Sequence, residues 1–406
     1  MLDRRLGVLS MACMAVAVAA LGQPRPGAAR LDAFLRSRFG LTPQQVALVR
    51  QGQPVAVALP TTVAREIRVG GAIHVRATAE RVTNLLQDVE RLESGEGFIR
   101  TKRLSDPPRL SDFNDLALPA EDIAALRTCR PGNCEVKLGT GAFDLLAKFD
   151  WSAPDVTGRI NELARQLSLG YIDAYRRGGD AELAVYRDSA RPQFIAAEFA
   201  DMVTHAGLWP EILRPLDDYL LGYPKTPAPP GSTNFFYWSL ADFGLKPVIR
   251  LNHVVVFRTG LAEGPEDVVA VKQLYASHYF HTALELRAVV ADEGPDPAGS
   301  TVVILNMARS DGLTGLFGGI IKSKARAGSR QGLESALAAI RRMAESRTGG
   351  DGALSAASLM TSRAPGTSAP WSLPPPPAPR TARRRHSSSS TPATRTASPS
   401  RRRSAR

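Results

Sequence analysis

The stretch Thr301–Arg347 reads TVVILNMARSDGLTGLFGGIIKSKARAGSRQGLESALAAIRRMAESR and places a strand, a glycine-rich turn and a long helix in succession. Thr301–Leu305 is a β-branched run, which is typical of a strand. From Leu313 the apolar residues recur with a helical period. The predicted apolar face of this helix carries Phe317, Ile321, Ala325, Gly328, Gly332, Ala336, Ala339 and Met343.

Two glycines interrupt the middle of that apolar face. Gly328 and Gly332 each cost roughly 1 kcal/mol relative to alanine inside a helix, so small residues must serve a purpose there. One interpretation is that they let the helix pack closely on a sheet. The other is that the centre of the helix roofs a cavity, while Phe317 and Ile321 anchor one end and Ile340 and Met343 anchor the other.

A terminal helix laid across an antiparallel sheet is the plan of the START-like (SRPBCC, helix-grip) superfamily. Gly71–Ala77, followed by Thr78–Glu90, resembles the first strand and first helix of that superfamily. The resemblance covers residues 70–103 and 232–346 and leaves the middle of the chain unmatched. It implies an α+β fold in which a curved antiparallel sheet grips the long C-terminal helix around a cavity.

The second half of the chain is rich in predicted strands. Turn residues separate these strands at regular intervals, and no helix is available for crossovers, so the pattern favours an antiparallel meander. The predicted strands contain Phe235–Trp238, Val248–Phe257, Val268–Ala276, Tyr279–Val290 and Thr301–Leu305.

A mostly helical insertion is predicted before that meander, at about residues 141–222. Within it, Gly141–Arg177 has one continuous helical period. Nearer the N-terminus, Thr42 and Gln45 form a capping box for a short helix, and Pro43 suits its first turn. The predicted domains are a signal peptide at 1–22, an N-terminal helix and edge strand at 23–69, a START-like domain at 70–347 and a tail at 348–406.

Both ends of the chain are predicted to lie outside the fold. Asp3-Arg4-Arg5 precedes an apolar run from Leu6 to Leu21, as in a secretory signal peptide. The final 56 residues, Asp351–Arg406, hold ten arginines and one acidic residue among Ser, Thr, Pro and Ala, a charge of +10 − 1 = +9. The whole chain carries +12, which leaves 12 − 9 = +3 for the rest. A tail of this composition is expected to be disordered.

The cysteines favour export to the periplasm or cell envelope. Cys129 and Cys134 are the only ones left after the signal segment, and Pro131-Gly132 between them suits a type II turn. An even pair in an exported protein predicts a disulfide.

Candidate polar site residues cluster in the meander. His253 and Tyr275 precede the segment Ser277–His281, which also holds His278 and Tyr279. If that segment is a strand, either His278 or His281 lies inside, next to His253. A metal site from His253, one of these histidines and Glu285 can be drawn, but no recognised ligand spacing supports it, so no metal or other cofactor is predicted.

We expect this protein to bind or transfer a hydrophobic, lipid-like small molecule. The predicted ligand-binding residues are Tyr275, Tyr279, His253, Phe317, Ile321, Gly328 and Gly332. One alternative is a cyclase-like or hydrolase-like enzyme on the same fold, with catalytic candidates His253, His278, Tyr279 and His281. Another is a structural envelope protein whose cavity is filled by its own side chains.

Several other functional classes lack their motifs. Asp311–Gly319 is glycine-rich but has no lysine where a phosphate-binding loop needs one. The sequence contains no serine-hydrolase elbow, no dinucleotide fingerprint and no usefully spaced carboxylate pair. The basic tail could contact an anionic membrane surface, and no specific nucleic-acid partner is expected.

Overall fold

The computed structural model describes residues 26–346, except 96, 207–209, 243, 262–263, 293–298 and 315–317. The predicted signal peptide, the predicted tail and Phe317 therefore lie outside the described residues. Among the residues that are described, no helix is long and apolar enough to cross a membrane.

The fold is α+β and is built on a large curved antiparallel sheet of eight strands. The strands of this sheet lie in the order β1-β2-β10-β9-β8-β7-β6-β3, and β4 and β5 form a separate pair. The first strand of the predicted START-like segment, β2, thus pairs with the last strand of the chain, β10. The strands are β1 Val55–Leu59, β2 Glu66–Val75, β3 Phe98–Arg103, β4 Val185–Tyr186, β5 Gln193–Phe194, β6 Thr233–Ala241, β7 Val248–Arg258, β8 Asp267–Ala276, β9 Thr282–Ala291 and β10 Ser300–Arg309.

Capping residues mark the start of several helices. Thr42 and Gln45 form the predicted capping box, and Thr78 accepts a hydrogen bond from the backbone of Arg81, as a cap should. The helices are α1 Pro26–Arg38, α2 Pro43–Arg50, α3 Ala79–Gln87, α4 Val89–Leu92, α5 Ala120–Leu126, α6 Thr140–Ala147, α7 Val156–Gly178, α8 Ile195–Thr204, α9 Pro210–Gly222 and α10 Gly318–Glu345.

The helical middle of the chain differs from the prediction in one respect. The predicted continuous helix Gly141–Arg177 is two helices, α6 and α7. Pro154 and Asp155 explain the interruption. Proline disfavours a helical conformation in the residue before it, and the Asp155 side chain caps a new helix by accepting from Gly158 N at 3.0 Å.

Both faces of the large sheet are buried. On β7, Val254 and Val256 face the side that carries α3 and α10, which we call the front face. Val255 and Phe257 face the side that carries α1, α2, α8 and α9, which we call the back face. Burial on both faces explains why these strands are almost continuously apolar in sequence.

Helix α10 lies on the front face over β2 and β1. Its contact surface differs from the predicted one, because Ala336 is exposed and Gly332 is only partly buried. Leu333 and Leu337 are buried instead, each one residue further along the helix, where larger side chains remove more apolar surface from water. Ala325, Gly328 and Ile340 are buried as expected.

A glycine of β2 lets α10 pack closely on the sheet. A Cβ added at Gly71 would lie 2.7 Å from the carbonyl oxygen of Val55 and 3.0 Å from Cδ1 of Leu337. Gly70 serves the back face in the same way, since its Cβ would lie 2.9 Å from the Phe39 ring. Small residues in the strand, rather than in the helix alone, therefore allow the close packing.

The cysteine prediction is confirmed. Cys129 and Cys134 form a disulfide with their Cα atoms 4.6 Å apart. Gly132 has φ +85°, as the predicted turn requires, and Asn133 N donates to Arg130 O at 3.0 Å across it. The disulfide is compatible with an exported protein.

Candidate functional site

Polar side chains from neighbouring strands share the front face beside α3, α4 and α10. The strand register places Asn252 of β7 directly opposite both Tyr237 of β6 and Gln273 of β8. It also places Asn306 of β10 opposite Glu285 of β9. We call this set the polar floor; its members are Tyr237, Arg250, Asn252, Gln273, Glu285, Arg287 and Asn306.

One end of the polar floor is an ion pair that includes Glu93, just after α4. Arg250 Nη2 lies 3.0 Å from a Glu93 carboxylate oxygen, and the Tyr237 hydroxyl donates to the other oxygen at 2.9 Å. Burial and the neighbouring Glu93 carboxylate raise the pKa of Tyr237 well above its usual value, so the phenol stays protonated. The Glu93 carboxylate is thus fully engaged within the protein.

A second ion pair lies nearer α3. Arg287 Nε donates to a Glu285 carboxylate oxygen at 2.6 Å, and Arg287 Nη1 donates to the carbonyl of Leu86 at 3.2 Å. The Arg287 side chain is buried, yet the Glu285 charge raises its pKa further above the usual value, so it remains charged. Two arginines and two glutamates therefore balance one another at this site.

Three amide side chains of the polar floor hold atoms that have no protein partner. Asn252 Nδ2, Gln273 Nε2 and Asn306 Oδ1 are buried, and within the described part of the chain no group forms a hydrogen bond with them. Leaving such a group unpaired costs roughly 1–3 kcal/mol in an interior. Polar atoms of this kind require an explanation, and a bound molecule is one.

An apolar surface surrounds these amides. Val254 and Val271 flank them on β7 and β8, and Ile304 lies on β10 in the same core cluster. Ala325 and Ile321 of α10 belong to that cluster as well. The front face thus combines hydrogen-bonding atoms with an apolar surround.

Two of the predicted ligand-binding residues lie elsewhere. His253 and Tyr275 are on the back face, where His253 contacts Tyr175 of α7 and Tyr275 contacts Tyr171 of the same helix. A bulge in β8 opposite Leu251 and Asn252 moves Tyr275 to that side. The sheet therefore separates His253 and Tyr275 from Ile321, Gly328 and Gly332, and the predicted set does not surround one cavity.

His253 is the centre of an aromatic cluster. It is completely buried, its ring stacks on Phe236 with centroids 4.7 Å apart, and Tyr219 and Tyr223 of the α9 segment contact it. Its Nδ1 lies 3.3 Å from the Tyr175 hydroxyl. The Lys272 ammonium, whose charge acts on His253, pairs with Asp180 and donates to Leu220 O at 2.9 Å.

The segment Ser277–His281 is a turn between β8 and β9, so the prediction of a strand there is wrong. Tyr279 has φ +58°, which a strand cannot contain, and its hydroxyl accepts from Lys246 N at 2.9 Å. His278 contacts Asp122 at 2.9 Å, and His281 lies 3.0 Å from Asp311. Neither histidine lies next to His253.

The metal and enzyme alternatives both use His253, which lies on the back face. Glu285 lies on the front face and His253 on the back face, so the two cannot share a metal ion. Among the described residues no three His, Cys, Asp or Glu side chains form a metal-binding group. A histidine and a tyrosine facing one cavity beneath α10 would favour an enzyme, but His253 and its partner Tyr175 lie on the opposite side of the sheet.

Two surface clefts lie away from the polar floor. One of about 350 Å³ runs along the start of α7 and is lined by Phe149, Arg159 and Glu162 among others. The other, of about 200 Å³, lies beside Pro60 and Arg68. Both are open to solvent and neither includes a predicted ligand-binding residue, so they are weaker candidates than the buried polar atoms.

A pH dependence of stability is expected from His253. Burial, with the nearby Lys272 charge, lowers its pKa well below the usual value of 6.5. The unfolded state then binds more protons below that pH, so the free energy of unfolding falls as the pH falls through about 6.5. We expect a His253→Phe variant to lose this contribution, up to about 1.4 kcal/mol per pH unit. Urea denaturation of both proteins at pH 7.5 and 5.5 measures it, and identical pH dependence would contradict the expectation.

A scan against protein-family models and a search of curated proteins give no match for this chain. The functional interpretation therefore depends on the geometry of the site.

Proposed function

We propose that this chain is an exported START-like protein that binds a small amphipathic molecule on the front face of its sheet. The proposal is supported by the order of elements: the segment that resembles the first strand and helix of the superfamily forms β2 and α3, and the chain continues to a sheet with α10 across it. We further propose that the residues between β3 and β6 are an insertion that covers the back face.

The observation that carries the proposal is the set of unpaired amide atoms on Asn252, Gln273 and Asn306. A protein interior with no function at this place would gain stability from apolar residues there, because replacing unpaired polar groups removes their desolvation penalty. Retaining three such groups on one face is understandable if a ligand supplies their hydrogen bonds. An apolar ligand body would lie against the surrounding valines and Ile304.

The gross binding free energy would come from the apolar body. Burial of apolar surface contributes about 25 cal/mol per Å², from which the cost of ordering the ligand must be subtracted. The polar floor would contribute orientation and selectivity instead. In this proposal, Ile321 and Gly328 of α10 border the space that the ligand occupies. The small residues of α10 would then form a roof over the ligand, as the sequence-based interpretation has it.

The test uses full-length mature protein freed of lipid and an uncharged fluorescent acyl probe. Asn252→Leu should reduce probe binding at least tenfold, while its free energy of unfolding holds or rises because an unpaired amide is removed. Asn306→Leu provides an independent second variant. Asn114→Leu makes the same chemical change at an exposed position and is the matched control.

Unchanged probe binding by the variants would contradict the proposal. If both front-face variants bind the probe as the wild type does, the polar floor has no ligand role. If wild-type protein binds no probe, an amphiphile-binding function is excluded. Native mass spectrometry of protein isolated from its own envelope, followed by identification of any released molecule, gives the same answer without a chosen probe.

A further inference from the structure

We infer that the bound molecule has an uncharged polar end that carries several hydroxyl and carbonyl groups, as a monoacylglycerol does. This inference rests on the proposed function and adds the chemical class of the ligand. It follows from three properties of the polar floor: its charge balance, the chemistry of its unpaired atoms and their spacing.

The charges of the floor are already matched within the protein. Arg250 is paired with Glu93 at 3.0 Å, and Arg287 with Glu285 at 2.6 Å. A carboxylate or phosphate entering here would find each guanidinium engaged with a glutamate and would lose its own hydration. Burial of a charge without an opposite charge is strongly unfavourable, so the floor disfavours an anion. The same argument with Glu93 and Glu285 disfavours a cation.

The unpaired atoms are all carboxamide atoms, from Asn252, Gln273 and Asn306. A carboxamide is neutral and offers two donors and a carbonyl acceptor. Its NH2 group pairs with ester carbonyl, ether or hydroxyl oxygens, and its carbonyl accepts from a hydroxyl. A group that both donates and accepts, such as an alcohol, complements the set better than one that only accepts.

The spacing requires more than one polar group on the ligand. Asn252 and Gln273 are direct neighbours across the β7–β8 pair. Asn306 is on β10, two strands beyond β8, and lines up through Glu285 with Val271, two residues before Gln273. The separation from Gln273 is therefore two strand spacings, roughly 10 Å, combined with two residues along the strand, roughly 7 Å. A single hydroxyl cannot reach both ends. A glycerol group with its ester carbonyl extends polar atoms along that direction.

The front face carries a further cation, Arg326. Arg326 belongs to α10, and its buried Nε has no partner among the described residues. Helix α10 packs on β2 and β1, next to the strand that carries Asn306 and three or more strands from Asn252 and Gln273. Arg326 is therefore the group that would attract an anionic ligand, at the Asn306 end of the floor.

The test compares ligands that share one acyl chain and differ only in the polar end. Lipid-free full-length protein is loaded with a fluorescent monoacylglycerol, which is then displaced by 1-oleoylglycerol, oleate or 1-oleoyl-glycerol-3-phosphate below their aggregation concentrations. We expect 1-oleoylglycerol to displace the probe at a concentration at least tenfold lower than either anion. Asn306→Leu and Gln273→Met should each reduce that preference at least threefold, whereas Asn114→Leu should leave it unchanged.

The possible failures are distinguishable. Equal or tighter binding of oleate or the phosphate would overturn the uncharged polar end while leaving amphiphile binding in place; Arg326→Leu would then abolish the binding of the anion. Binding of the competitors can also be measured without the probe, by titration of the intrinsic protein fluorescence. If neither the probe nor any competitor binds, this inference and the proposed function are both overturned. Preference for 1-oleoylglycerol that survives both amide substitutions would also overturn it, because the floor would not be its source.

Discussion

Replacing Lys272 by methionine should lower the free energy of unfolding by roughly 3–5 kcal/mol. Lys272 is completely buried between the sheet and the helices of the back face. Its ammonium pairs with Asp180 and lies 3.9 Å from the centroid of the Phe199 ring. Burial lowers the pKa of Lys272 to about 8 and raises that of Asp180, yet the lysine remains mostly protonated at pH 7. Its removal would leave the Asp180 carboxylate buried without an opposite charge.

A second variant separates loss of the charge pair from loss of the other contacts of the Lys272 ammonium. Lys272→Met combined with Asp180→Asn removes both charges and should recover most of the lost stability, since a neutral replacement of a buried pair is often tolerated. Urea denaturation at pH 7 measures all three proteins. If the double variant is as unstable as Lys272→Met alone, the contacts of the ammonium with the Phe199 ring and the Leu220 carbonyl matter more than its pair with Asp180.

Replacing Gly71 by alanine should destabilise the protein by roughly 1–3 kcal/mol, as overpacking of a tight interior does. The added Cβ would meet the carbonyl oxygen of Val55 at 2.7 Å and Leu337 Cδ1 at 3.0 Å, so β1, β2 or α10 must shift. Backbone cannot move away as easily as the end of a flexible side chain. We therefore expect a lower urea midpoint with an unchanged slope.

Gly170 is the matched control for this substitution. It lies inside α7, it is exposed, and a Cβ there would meet nothing within 4 Å. Gly170→Ala should increase the free energy of unfolding by up to about 1 kcal/mol, since alanine is the better helix former. Opposite signs for the same chemical change would show that close packing at Gly71, rather than a general intolerance of larger residues, causes the loss. A neutral Gly71→Ala would contradict the close contact of α10 with the sheet.

Part of the candidate site could have been recognised from sequence. Asn252, Glu285, Arg287 and Asn306 interrupt strands that are otherwise apolar, and on each strand they fall on the same side as residues of the front-face core. A polar residue at a core position is a reliable signal of a partner or a ligand. Histidines and tyrosines were predicted as the site residues instead, because their side chains have more varied chemistry.

The amino-acid sequence by itself determined the features that depend on residues close together in the chain. The capping box of Thr42 and Gln45, the turn at Pro131-Gly132 and the strand-rich second half followed from local rules, and so did the α+β class with its C-terminal helix. Only the tertiary structure decided which polar groups lie next to one another. The bulge beside Gln273 moves Tyr275 to the back face, and a turn replaces the expected strand at Ser277–His281. Side chains alternate between the faces of a strand, so one extra residue reverses the face. Strand register, set by partners far away in the chain, therefore assembled the polar floor.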